Sequence, residues 1–149
     1  MASDLVFDLP NDLASIEEAV EFVMDRCAGC GNDPRRLRLN LRVGLSEALA
    51  NAMLYGNRRD PSKRVRLEVD VQGSTITARV TDEGSGFDPC RLQDPTCPGN
   101  LRKAEGRGIF LMRKLLDEVY FNDCGNCVTL VLRLPPSRGE MGVDGGARA

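Results

Sequence analysis

"VRLEVDVQGSTITARVTDEGSGF", residues 65–87, holds two alternating runs and then an acid followed by two glycines a residue apart. Val65, Leu67, Val69 and Val71 alternate with polar residues, as do Ile76, Ala78 and Val80 beyond Gly73. A period of two interrupted at a glycine predicts an antiparallel hairpin, 65–71 with 75–81, apolar on one face. A turn after the second strand needs one glycine at most. A second glycine in "DEGSGF" suggests backbone that must come close to a ligand.

Outward from this hairpin, "LVFDL" (5–9) reads as a short strand closed by Pro10. "SIEE" (15–18) has the pattern of a capping box, with Ser15 as cap, opening a helix to about Cys27 with Ile16, Ala19, Val20, Val23 and Met24 as its apolar stripe. A second helix is predicted from Pro34 to Tyr55, stopping at Gly56. Residues 88–105 are turn-rich and aperiodic, the signature of a lid-like loop. A third helix starts near Gly108, and "EVYFND" and "VTLVLRL" form a last hairpin around "CGN". The order β, α, α, β, β, loop, α, β, β predicts an α+β two-layer sandwich: a mostly antiparallel sheet with helices packed on one face. Residues 1–134 form one domain, and the Pro/Gly-rich 135–149 is expected to be a disordered tail.

Several function classes are excluded by what the chain lacks. A net charge of −2 argues against a nucleic-acid footprint. No apolar run is long enough to span a bilayer. The N-terminal residues show no basic-then-apolar leader, which points to the cytoplasm. The 149 residues contain no histidine, so imidazole metal sites, Ser-His-Asp triads and phosphohistidine chemistry are absent from this chain. Six cysteines in such a compartment read as reduced thiols. "CAGC" (Cys27, Cys30) and "CGNC" (Cys124, Cys127) nevertheless have the spacing of two zinc knuckles.

The second helix is not simply two-sided. Arg38, Arg42 and Ser46 form a stripe toward water, taken over further along by Leu49 and Met53. Nearly opposite lies a narrow polar stripe of Asn40, Gly44, Glu47 and Asn51, between apolar flanks. A carboxylate and an amide placed there need partners. Two readings fit: a structural hydrogen-bonded pair, or an oxygen-rich slot for a hard cation and a phosphate, as Mg²⁺ favours. "GRG" (106–108) ahead of a helix allows backbone N–H groups to approach an anion. Asp82 adds an acceptor suited to an amino group such as that of adenine.

E-x-x-x-N on a helix, D-x-G-x-G after a strand, a lid-like loop and then G-x-G form the motif series of the GHKL ATPases, and over residues 5–134 the chain resembles that family. "EGRGIFLMRKLLDEVYF" is similar to the anti-sigma-factor serine/threonine kinases within it. The resemblance implies a Bergerat ATP-binding fold using ATP and Mg²⁺. It implies Glu47 as general base and Asn51 as Mg²⁺ ligand. Asp82 would bind the adenine amino group, with Gly84 and Gly86 shaping the pocket. Gly106 and Gly108 would cradle phosphates under the 88–105 lid, and Thr129 would stand near the adenine. Lys103 and Arg107 could add positive charge from the lid. The implied activity is phosphorylation of a Ser or Thr on a small antagonist protein, coupled to sequestration of a sigma factor; a homodimer is left open. The alternative is a nucleotide-gated partner-binding module with little or no phosphotransfer. Two departures stand out: Cys127 replaces a glycine usual before the family's threonine, and Glu17 and Glu18 occupy a turn where a basic partner-contacting residue is usual. The family topology also places the first helix's end and the last hairpin turn at opposite poles, which separates the two cysteine pairs.

Overall fold

The computed structural model describes residues 4–85 and 103–137, with no side-chain detail for 103–105. Five strands form one sheet in the order β1-β2-β3-β5-β4, every neighbouring pair antiparallel. They are β1 (Leu5–Pro10), β2 (Arg64–Gln72), β3 (Thr75–Asp82), β4 (Glu118–Phe121) and β5 (Cys127–Arg133). The expected hairpin is β2–β3, in the register Leu67 to Val80 and Val69 to Ala78. Val65, Leu67, Val69, Ile76, Ala78 and Val80 are buried, and Val71 near the turn partly so, so the alternation records the sheet's two faces.

Three helices cover that apolar face. α1 (Ala14–Cys27) buries Ala19, Val20, Val23, Met24 and Cys27. Its start differs from the capping-box expectation. Leu13 is the N-cap, without a side-chain bond, while Asp12 Oδ1 accepts from the Ala14 N–H at 3.0 Å. The Ser15 hydroxyl instead donates backward to the Asp12 carbonyl at 2.6 Å. Asp12 lies one turn early enough to take over as acceptor, and Ser15 falls inside the helix.

α2 runs through 34–56 as expected, but not as a uniform α-helix. Its α-helical parts, Pro34–Arg36 and Arg42–Asn51, are each followed by a π-helical turn, Leu37–Leu41 and Ala52–Gly56. Asp33 caps it by accepting from the Arg36 N–H at 3.0 Å. Leu41, Leu45, Ala48 and Ala52 face the sheet, and Leu49 and Met53 are also buried. Val43, Ala50 and Leu54 are only half-buried, so the flank expected to be covered is open. α3 (Lys103–Leu115) packs along α2 and buries Ile109 and Met112.

α3 begins before Gly108, so both glycines of "GRG" lie inside the helix rather than ahead of it. The rest of the expected 88–105 lid and the tail from 138 onward fall outside the described residues. No described helix is long and apolar enough to cross a membrane.

Candidate functional site

The polar stripe of α2 lies directly beneath α3. Asn40 Nδ2 donates to the Leu115 carbonyl at 2.8 Å, which assigns that residue to joining the helices. A Cβ at Gly44 would stand 2.8 Å from Leu116 Cδ1. A Cβ at Gly108 would stand 3.0 Å from Glu47 Oε2 and 3.1 Å from each polar atom of the Asn51 amide. Glu47, Asn51 and Gly108 are thus one contact. Gly106 is not part of it: a Cβ there would meet nothing within 4 Å. Arg107 is exposed.

Asn51 Nδ2 is buried with no hydrogen-bond partner among the described residues. A buried amide donor left unsatisfied is costly, and such groups await a ligand or mark strain. With the amide rotated either way, Asn51 can offer Oδ1 to a cation or Nδ2 to a phosphate oxygen. The Glu47 carboxylate beside it completes a donor set of the kind hard cations take. These residues fit a Mg²⁺–phosphate group.

The second part of the site lies at the end of β3. Asp82 is anchored through its backbone N–H, which donates to the Asn126 carbonyl at 2.9 Å. Its Oδ1 accepts from the Gly84 N–H at 2.8 Å. A Cβ at Gly56 would come within 2.2 Å of Asp82 Oδ2, and one at Gly84 within 1.8 Å of the Gly56 carbonyl oxygen. Neither glycine can take a side chain while this carboxylate stays in place. Burial pushes the Asp82 carboxyl up to about 6, against the opposing pull of the Gly84 N–H and Lys63. A half-buried acid that costs stability when ionised, framed by two glycines, fits an amine-bearing base.

Gly56 was read from sequence only as a helix stop, and its part in this pocket had no sequence signal. Gly86 lies outside the described residues. Thr129 does not join the site. β5 starts at Cys127, and Val128 pairs with Val80 while Thr129 pairs with Arg79. Val80 and Asp82 share the helix-covered face, so alternation puts Thr129 on the opposite face, opposite Tyr120 of β4. Val128 is the residue of that strand on the Asp82 side.

A groove of about 470 Å³ approaches Glu47 from the other flank of α2. It runs between Leu13, Ile16 and Val20 at the start of α1 and Arg42, Ser46 and Glu47 of α2. Arg42 at its edge is ion-paired with Glu21. Glu47 therefore belongs both to the contact with Asn51 and to an open approach from solvent.

Residues 9–132 match the family described as the histidine kinase-like ATPase domain. The chain belongs to that family. This ATPase domain is 30% identical over 83 residues to an anti-sigma F factor of Anoxybacillus flavithermus, covering 53% of this chain and 56% of that protein. It is 30% identical over 86 residues to the serine-protein kinase RsbW of Bacillus subtilis, covering 54% of each. The ATPase domain thus spans just over half the length of these curated relatives. Its fold also matches the crystal structure of the RsbU and RsbW domains of a Mycobacterium tuberculosis protein, with a TM-score of 0.55 at 17% identity, over 90% of this chain and 32% of that one. That likeness establishes the α+β architecture of the ATPase domain independently of the motifs.

Proposed function

We propose that the chain is an ATP-dependent serine/threonine protein kinase of the anti-sigma-factor type, which phosphorylates a small antagonist protein and sequesters a sigma factor. The names of the relatives, anti-sigma F factor and serine-protein kinase, support both halves of this reading. The observation that carries the kinase half is the position of Glu47, which touches the Asn51–Gly108 contact on one side and lines an open groove on the other. A general base for phosphoryl transfer must meet both the nucleotide and an incoming hydroxyl.

In this mechanism Asp82 accepts from the exocyclic amino group of adenine, in the space kept by Gly56 and Gly84. Asn51 would hold Mg²⁺, which when bound offsets the charge of the transferring phosphoryl. Glu47 takes the proton of the acceptor hydroxyl as its oxygen bonds to the γ-phosphorus and the bond from that phosphorus to the bridging oxygen breaks, ADP leaving. Gly108 keeps α3 close without displacing either side chain. The setting we infer is the cytoplasm, with transcription regulated through the sigma factor.

The test is transfer from γ-labelled ATP with Mg²⁺ to a candidate small antagonist protein of the same organism. Wild type is expected to label a Ser or Thr of that partner. Glu47→Gln is expected to bind ATP within about threefold of wild type while turnover falls by roughly a hundredfold or more, the usual scale for losing a general base. Tight partner binding with no transfer by wild type would establish the binding-module reading instead. Loss of ATP affinity in Glu47→Gln would assign Glu47 a structural role.

A further inference from the structure

Behind the Asp82 pocket lies a polar knot that sequence reading passed over. Asn57, directly after the π-helical end of α2, has no exposed surface at all. Its carboxamide is fully engaged. Nδ2 donates to Asn11 Oδ1 at 3.2 Å and to the Arg64 carbonyl at 3.0 Å, and Oδ1 accepts from the Glu83 N–H at 2.8 Å. Its own N–H donates to the Ala52 carbonyl at 2.7 Å and closes the π-turn. Asn11 in turn donates to the Asp60 and Met53 carbonyls at 3.0 and 3.4 Å. One side chain therefore joins the end of α2 to the loop after β1, the start of β2 and the residue following Asp82.

The backbone around it is unusual. Arg58 and Arg59 both have positive φ, 52° and 61°, in the left-handed region that L-residues with side chains enter only at a cost. The chain doubles back there, with the Arg59 N–H donating to the Met53 carbonyl at 2.9 Å and the Asp60 N–H to the Asn57 carbonyl at 3.0 Å. Strain of this kind persists where surrounding structure over-determines it, and it gathers at functional sites. Here the turn delivers Asn57 inward.

Asp82 is held between two neighbours of this knot. Gly56, which limits Oδ2, immediately precedes Asn57, and Gly84, which donates to Oδ1, immediately follows the Glu83 backbone that Asn57 holds. We propose that Asn57 is the positioning residue of the nucleotide site: by fixing the Glu83 backbone and the end of α2 together, it aims the Asp82 carboxylate at the base and so sets selectivity for adenine nucleotides. The inference rests on the nucleotide reading of Asp82 given above. A core-filling role alone would need no carboxamide, whose burial is costly unless every donor and acceptor is met.

The experiment compares ATP and GTP binding by titration calorimetry on the full chain, at a temperature where circular dichroism shows wild type and Asn57→Ala equally folded. Asn57→Ala is expected to weaken ATP binding about tenfold or more, the scale of one buried hydrogen-bonding group lost. The preference for ATP over GTP should fall with it, because GTP has no amino group at the position Asp82 reads. A general loss of stability would leave that ratio unmoved. Should Asn57→Ala not fold, Asn11→Ala removes one acceptor of the same amide and is expected to weaken ATP binding about threefold with a matching fall in preference. A variant with a lowered melting temperature but wild-type ATP affinity and ATP:GTP ratio overturns the positioning role. A wild-type chain that binds no ATP overturns the nucleotide reading on which it rests.

Discussion

A carboxylate with a raised pKa makes opposite demands on the empty and the occupied site, and Asp82 is that residue here. Its ionisation is opposed in the folded state, from an ordinary 3.8 to about 6, chiefly by burial. The folded chain therefore holds this proton more tightly than the unfolded chain. The cost is absent below the unfolded pKa, grows between 3.8 and about 6, and is complete above that, at about 1–2 kcal/mol after allowing for solvent screening. Asp82→Asn keeps an acceptor for the Gly84 N–H and removes the charge. Its melting temperature is expected to match wild type near pH 4 and to exceed it by a few degrees at pH 7, the shift about 1–2 kcal/mol gives in a domain of this size. The same variant is expected to lose ATP binding, since an amide at this place presents a donor as readily as an acceptor. In wild type, ATP affinity should rise as pH increases through about 6, as the carboxylate forms. Scanning calorimetry and ATP titration across pH 4–8 read both effects, and a variant no more stable than wild type at pH 7 would refute the burial penalty.

At the scale of elements, the α2–α3 pair shows what sequence periodicity can and cannot convey. The β2–β3 hairpin was legible because alternation reports directly which residues face the core, and six of the seven positions in its apolar set are buried, with Val71 partly so. The extent of α2 was legible from its start at Pro34 and its stop at Gly56. Its π-turns were not, because one extra residue in a turn barely disturbs a stripe pattern. The polar stripe was legible as a stripe, while its meaning depended on which element covered it. α3 does so, and the two glycines that looked like a loop before a helix lie within it, Gly108 against the stripe and Gly106 in open space. Thr129 was misplaced for a related reason: strand parity turns on the starting residue, and one step reverses the face. Asn57 was invisible, since a polar residue after a stop glycine reads as a surface turn. Gly108 gives this scale its test. Gly108→Ala gains about 1 kcal/mol of helix propensity, which offsets the push of its methyl on Glu47 and Asn51 at 3.0–3.1 Å. Its melting temperature is expected to stay within a few degrees of wild type, while phosphoryl transfer falls at least about tenfold because the two polar side chains must move. Full activity in this variant would mean that Glu47 and Asn51 adapt freely and that their placement does not limit transfer.

For the molecule as a whole, β3 sets the distance between its chemistries. Beyond its Thr75 end, the Gly73 carbonyl accepts from the Cys30 thiol at 3.4 Å, and Cys27 is buried nearby at the end of α1. Its Asp82 end is bonded to Asn126, in the β4–β5 turn that carries Cys124 and leads into Cys127 at the start of β5. Eight strand residues hold these ends roughly 25 Å apart. Zinc would need all four sulfurs within about 2.3 Å of one point. None of the four described cysteines forms a disulfide, and no group of three metal-ligating residues occurs among the described residues. Burial, with Cys30 adding to it, also raises the Cys27 thiol to about 11, so it stays protonated at neutral pH in the metal-free chain. The expected result is a separation of metal effects. A zinc-selective chelator leaves the melting temperature unchanged, while EDTA leaves it unchanged and abolishes phosphoryl transfer, which Mg²⁺ then restores. Stoichiometric zinc in the dialysed protein, with a melting temperature that falls on chelation, would overturn this separation of metal effects.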